Sequence, residues 1–366
     1  MNAAAERVHF PATGPFYADL KQRVAAHFER TGTSQHGGWS MRVKTAVLLT
    51  WLAGSWALLM FAPVSPWLVV LLTISIGLAM AGTGFSVMHD ANHGSYSASA
   101  RVNRILSYTC DFLGGSSHVW RQKHNILHHT YTNISGLDAD LDAGPLLRFA
   151  PWQPRQGFHR FQHLYVWALY GVFPLRWFLT DDFRDLATGN IRGAKFQRPQ
   201  GWSLFATFAG KAVFYAWAFV IPAVLHPTWW LIPLWLLCSF TLGNTLATVF
   251  QLAHCAANAD FHETSAGQTM ATEWAIHQVT TTVDFARESR FLSWFLGGLN
   301  FQVEHHLFPR VCHVHYPALA KIVEETCLAH GVRYRAESTL AVALAANVRW
   351  LRDMGRAAPV LIPASA

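Results

Sequence analysis

Four apolar stretches, at about residues 45–62, 67–88, 202–225 and 229–253, restrict this chain more than any other feature. At a helical rise of ~1.5 Å per residue each is about long enough to cross a hydrocarbon core of ~30 Å. Only Pro63-Val-Ser-Pro66 separates the first two, and only His226-Pro-Thr228 the second two, so each pair is a helical hairpin. The expected fold is an all-α integral membrane protein: four transmembrane helices as two hairpins, with a cytosolic helical cap. Residues 44–354 form the membrane domain, residues 1–43 a cytosolic N-terminal arm with an amphipathic piece at 18–28, and residues 355–366 a tail.

Composition agrees with this. Charged residues are 13% of the chain, with 16 Trp and 25 Phe. The net charge of +7 comes without any basic run interleaved with aromatics, which argues against a nucleic-acid partner. Every Lys and Arg except Lys211 lies in the arm, the middle stretch or the tail, and neither link carries one. By the positive-inside rule those regions, and both termini, are cytoplasmic, in what reads as a bacterial inner membrane. Lys211 is expected to snorkel back to that side, with an ion pathway as the alternative. Residues 1–40 hold no charged-then-apolar leader. The five cysteines form no CxxC pair and read as reduced. Between the hairpins, residues 105–113 are too short to span, and residues 164–173 are limited by Pro174 and Arg176. Both read as interfacial or packed under the cap.

Histidines gather where the hairpins end. His89-Asp-Ala-Asn-His93 follows the second apolar stretch, and His254 follows the fourth. His124-Asn-Ile-Leu-His128-His129 lies in the middle stretch and Gln302-Val-Glu-His305-His306 in the tail. On an α-helix His124 and His128 share a face, with His129 about 100° to the side. Four spans put all these clusters on one side of the membrane, whereas a fifth would divide them. Pro309 is expected to end the helix carrying His305 and His306.

Imidazole suits iron, zinc, copper and nickel. Eight histidines, His89, His93, His124, His128, His129, His254, His305 and His306, exceed the need of one four-coordinate ion, so two ions fit better. Two redox-active irons beside a membrane point to O₂ activation on a lipid-like substrate. A di-zinc hydrolase normally needs a carboxylate to manage water, and Glu304 points about 100° away from His305 on a helix. Asp90, Asn92 and Asp138, with Asp140 and Asp142, are candidates to orient imidazole N–H groups, and His277 for that role or for a substrate cavity. Asp138, Asp140 and Asp142 also resemble part of a calcium loop, without its Gly and Glu. His118, His262, His313 and His315 read as surface or outer residues. Arg121, Lys123, Arg148 and Arg155 suit either acyl-CoA phosphates or lipid headgroups and topology. His36-Gly-Gly-Trp39 lacks the Pro of the haem-binding cytochrome b5 motif, so no haem is assigned.

The order and spacing of these boxes resemble the membrane-bound fatty-acyl desaturases. His89-Asp-Ala-Asn-His93-Gly is similar to their first box, His124 to His129 to the second, and Gln302-Val-Glu-His305-His306-Leu-Phe-Pro309 to the third. The opening Gln302, with Glu273-Trp-Ala-Ile-His277-Gln-Val and Gly298-Leu-Asn-Phe301, is similar to the front-end branch, which works between an existing double bond and the carboxyl end. The lack of a fused cytochrome b5 domain is more like bacterial relatives. The resemblance implies a di-iron centre, O₂ as co-substrate, an acyl chain on CoA or lipid, and electrons from a separate ferredoxin or cytochrome b5 with its NAD(P)H reductase. It also puts Gln302 at a ligand position, as a weaker ligand than imidazole or acting through water or hydrogen bonding, and implies a cis double bond as product. The alternatives are a histidine-box hydroxylase or ketolase and, from another class, a metal transporter. A transporter would carry its ligands near the bilayer midplane.

Overall fold

The computed structural model describes residues 8–138, 140–141, 144–264 and 267–356; Asp142 lies outside them. Among the described residues four helices are long and apolar enough to cross a membrane: Gly38–Phe61, Pro66–His93, Gly201–Leu225 and Leu231–His254. They are the four expected spans, here the first to the fourth. The second starts on Pro66, whose fixed φ suits a first helical position. The first begins at Gly38 rather than near residue 45, which carries Lys44 into the buried part of the helix. Its outset needs Gly38 itself, at φ +59°, a left-handed conformation costly to other residues.

Expectation and structure part at Pro174, which ends nothing. Helix Gln162–Arg176 contains it and runs on through a wide π turn, Trp177–Asp181, into Asp182–Thr188. Pro174 has no N–H to give the Tyr170 carbonyl. That carbonyl instead faces Gly243 of the fourth span, where any side chain would collide with it. Ser239 Oγ donates to Gly171 O at 2.7 Å and Asn244 Nδ2 to Trp167 O at 3.0 Å. The helix is therefore packed along the fourth span by polar groups that serve its backbone.

Lys211 does not snorkel. It is 2% exposed, and its ammonium donates to Asp182 Oδ2 at 2.7 Å, Gly114 O at 2.5 Å and Phe178 O at 3.3 Å. Asp182 also accepts from Trp177 Nε1 at 3.1 Å. The charge is compensated within the protein.

The cap is helical. Pro15–Thr31, Trp274–Thr281, Gln302–Leu307 and Tyr316–Ala329 pack around Leu20, Val279, Val303 and Leu319. The third-box helix ends at Leu307, two residues before Pro309. A two-residue parallel pairing of Asp284–Phe285 with Ala336–Glu337 ties the segment before the third box to the chain ahead of helix Leu340–Met354. Arg148 donates to Gln153 O at 2.7 Å and Met354 O at 2.6 Å, and Arg155 to Gly355 O at 2.9 Å. These two arginines are used by the fold, against the reading that they hold phosphates. The five cysteines are free thiols, as expected.

Replacing Lys211 by Met leaves the Asp182 carboxylate buried without its counter-charge. A loss of ~3–5 kcal/mol is expected, largely recovered in Lys211→Met/Asp182→Leu. Thermal unfolding in detergent measures both; equal stability of the single variant and the parent contradicts the buried pair.

Candidate metal centre

Each histidine cluster arrives on an element that stops at the same place. The second span passes from α-helix through a π turn, Gly84–Met88, to a last α turn, His89–His93, which Gly94 ends at φ +77°. His254 is the final residue of the fourth span. His305 and His306 lie on Gln302–Leu307.

The second box departs from the expected α-helix. Arg121–His128 is a π-helix, followed by a single α turn, His129–Tyr131. Its wider turn changes the phase between side chains. His124 and His128 still stack on one face, 5.3 Å between ring centroids, yet His124 lies beside the first box and His128 beside His254 and His306. Donor atoms of His89, His93, His124 and His305 form one group, and those of His128, His254 and His306 another. His129 groups with His305 and His306 between them, and within each group the atoms lie within 4.8 Å of one another.

The outer nitrogens are held. His128 Nδ1 lies 3.2 Å from both Asp138 oxygens, His306 Nδ1 2.7 Å from Gln278 Oε1, and His305 Nδ1 3.2 Å from the Tyr316 hydroxyl. Asp138 and the Gln278 oxygen only accept, so His128 and His306 carry their proton on Nδ1 and present a bare Nε2 inward. Asp140 stands 3.8 Å from His124 Nδ1, and Asp90 4.0 Å from His89 Nδ1. Nε2 of His89, His93, His128, His305 and His306 has no hydrogen-bond partner, nor has Nδ1 of His129 or His254.

This donor set fits metal ions. Buried polar atoms are almost always paired, and seven unpaired nitrogens on the rings of these grouped histidines call for a cation. Nitrogens ~2.1 Å from one ion and at right angles lie ~3.0 Å apart. His124 Nε2 and His129 Nε2 are 3.2 Å apart, and the Gln302 amide is 2.9 Å from His254 Nε2. Gln302 thus serves His254 as a hydrogen-bond partner, at a separation that also suits two donors sharing an ion.

Burial keeps most of these rings neutral, the form that ligates. It takes His124 down to about 3, and, with the neighbouring imidazoles, holds His129, His305 and His306 well below the usual histidine range. Burial also opposes the charge on His128, but the Asp138 carboxylate outweighs it and raises that group.

Other candidates take outer places. Asn92 donates to Met88 O at 2.9 Å and accepts from Arg121 at 3.2 Å, joining the first and second boxes. Lys123 pairs with Asp140 at 2.9 Å. His277 joins no group: its Nε2 donates to Thr132 O at 2.8 Å, and burial takes it to about 3. His313 is buried against Asp90 rather than on the surface. Gln278 and Tyr316 escaped the reading of the sequence, the first marked only by its position beside His277, the second by nothing. Glu304 faces Tyr334 and Asp284, away from the histidines, as its helical phase requires.

A cavity of about 430 Å³ reaches His89, His124 and Gln302. Its walls include Met80 and Phe85 of the second span, Phe173 of the adjacent helix and Phe250 of the fourth span. An apolar slot ending on a metal-ready site beside a membrane suits an alkyl chain.

Comparison with known proteins agrees. A sequence model of the family described as fatty acid desaturase matches residues 65–338. The chain is 40% identical over 359 residues to a Synechocystis sp. protein named sn-1 linoleoyl-lipid 6-desaturase, covering 96% of this chain and 99% of that one. It is 36% identical to an Arthrospira platensis protein of the same name, covering 97% and 96%. With the acyl-lipid (8-3)-desaturase of Physcomitrium patens identity is 36%, over 93% of this chain and 72% of the relative. The chain belongs to the fatty acid desaturase family. This desaturase is a membrane oxidoreductase that introduces a double bond into an acyl chain.

The lowered histidines have a consequence for pH. Between about 3 and ~6.5, unfolded His124 and His277 bind protons that the folded rings do not, so acid favours unfolding by ~1.4 kcal/mol per pH unit and group. His128 works the other way, but the lowered rings outnumber it. The metal-free desaturase should lose thermal stability as pH falls from ~6.5 towards ~4. A midpoint that stays flat or rises over that range contradicts the neutral assignment.

Proposed function

We propose that this desaturase holds two iron ions with His89, His93, His124, His128, His129, His254, His305 and His306, and that Gln302 completes the set through His254 or as a weak ligand. The observation that carries this is the set of buried, unpartnered imidazole nitrogens converging in two groups at the end of the apolar cavity. Asp138, Gln278 and Tyr316 hold the outer ring nitrogens and so aim the inner ones.

When bound, the iron pair supplies the activation of O₂ that removes one hydrogen from each of two neighbouring methylenes. Two electrons and two protons from outside complete the reduction of O₂ to two waters and leave a cis double bond. The electrons come from a separate ferredoxin or cytochrome b5 with its NAD(P)H reductase. The chain's own part is placement: the cavity wall excludes water and presents one carbon pair to the centre.

The substrate is an acyl chain carried by a membrane lipid. Support comes from the two cyanobacterial relatives that match almost end to end, both named linoleoyl-lipid 6-desaturases. By that likeness, and by Gln302 at the head of the third box, the new bond enters on the carboxyl side of an existing one. The boxes and both termini face the cytoplasm, because an even number of spans separates the clusters and the basic residues avoid both links. Residues 44–354 act as one membrane domain, with residues 1–43 as an arm and 355–366 as a tail.

Gas chromatography with mass spectrometry of membrane fatty acids tests this in a host supplied with iron, a linoleoyl lipid and a ferredoxin system. A new double bond on the carboxyl side is expected, absent in His128→Ala. Hydroxylated or keto products would transfer the chain to the hydroxylase and ketolase reading, and turnover by His128→Ala would sink the ligand set.

A further inference from the structure

Behind the four-histidine group lies a buried polar line that the ligand set leaves unused. Asp90 Oδ2 accepts from His313 Nδ1 at 2.8 Å and from Cys312 Sγ at 2.9 Å, while its other oxygen lies 4.0 Å from His89 Nδ1. The Lys44 ammonium is 2.9 Å from His313 Nε2 and 5.4 Å from the centre of the Trp294 ring. Lys44 is 4% exposed and Asp90 1%. The line crosses three separate pieces of chain: the second turn of the first span, the first box at the end of the second span, and the turn His313–His315 beyond the third box.

Asp90, Cys312 and His313 have the donor atoms of another ion site. Both imidazole nitrogens of His313 are already engaged, one by Asp90 and one by the Lys44 ammonium. The positive charge such a site would need is thus supplied by the lysine, and the triad is a hydrogen-bonded line rather than a place for a further ion. A buried lysine is costly unless paired, so its location needs a reason. That reason lies at the other end. A carboxylate facing a ligating histidine fixes ring orientation and tautomer, and it must itself be held.

We propose that Lys44 and His313 are positioning residues for His89, holding the Asp90 carboxylate where it keeps the His89 ring turned with Nε2 towards the four-histidine group. This rests on the di-iron reading above. Without the ammonium, the carboxylate keeps only the neutral His313 N–H and Cys312 S–H as partners, with no cation behind them, and it moves off the His89 side. Arg121 and Asn92, which also bear on the first box, bond to each other rather than to Asp90. The effect is therefore confined to the group that contains His89.

The test uses the full chain in detergent, loaded anaerobically with isotopically enriched ferrous iron. Iron content, Mössbauer spectra and the rate of iron release to a ferrous chelator are compared for the parent, Lys44→Met, His313→Leu and His313→Gln. Lys44→Met and His313→Leu should release one of the two irons ~10–100-fold faster and alter one Mössbauer signal only. His313→Gln, whose amide can both donate to Asp90 and accept from Lys44, should stay near the parent. If Lys44→Met does not fold, the His313 pair decides. Parent-like release in Lys44→Met or His313→Leu, equal behaviour of His313→Leu and His313→Gln, or loosening of both irons together overturns the proposal. A parent chain that takes up no iron overturns the di-iron reading instead.

Discussion

The protein depends on burying a set of neutral imidazoles with nothing on their inner nitrogens. A buried polar group left unpaired costs ~1–3 kcal/mol, and seven such nitrogens meet here. The sum, roughly 10 kcal/mol, is comparable to the whole stability of an ordinary domain. A chain can carry that cost only if its scaffold is held by other means and if cations relieve the histidines when bound. The rest of the architecture follows from those two needs.

The scaffold meets the first need by ending its elements at the centre. Gly94 stops the second span just after His93, and the fourth span stops on His254. The cap packs its own apolar core around Leu20, Val279 and Leu319, which fixes the third-box helix independently of the histidines it bears. The second box then reaches both groups from one short segment, because the first box stands beside His124 and His254 with His306 beside His128.

Polar groups within the spans serve the same end. Lys211 and Asp182 neutralise each other between the third span and a helical segment that itself lines the cavity. Pro174 frees a carbonyl that the bare backbone of Gly243 covers, and Ser239 and Asn244 bind two more. The wall of the cavity is thereby locked to the fourth span, whose last residue belongs to the metal centre. Placement of an alkyl chain and placement of the ligands share one rigid framework.

The four spans, their pairing in hairpins and the identity of the eight histidines were legible in the sequence, because long apolar runs and dense histidine clusters are local signals. The contact of Asp138 with His128 joins residues close in sequence, so that pairing was within reach of a sequence reading. What belonged to the tertiary structure alone was every relation across distance. Lys211 has its partner 29 residues away, His306 has Gln278 28 residues away, and Lys44 meets His313 across 269 residues. The first span's earlier start and the π phase of the second box were equally hidden, since packing against other segments sets them. Apolar length and residue type determine which elements form and what chemistry they can carry. Which nitrogen faces inward, and what holds it there, is decided only when separate segments supply each other's hydrogen bonds in a place that water does not reach.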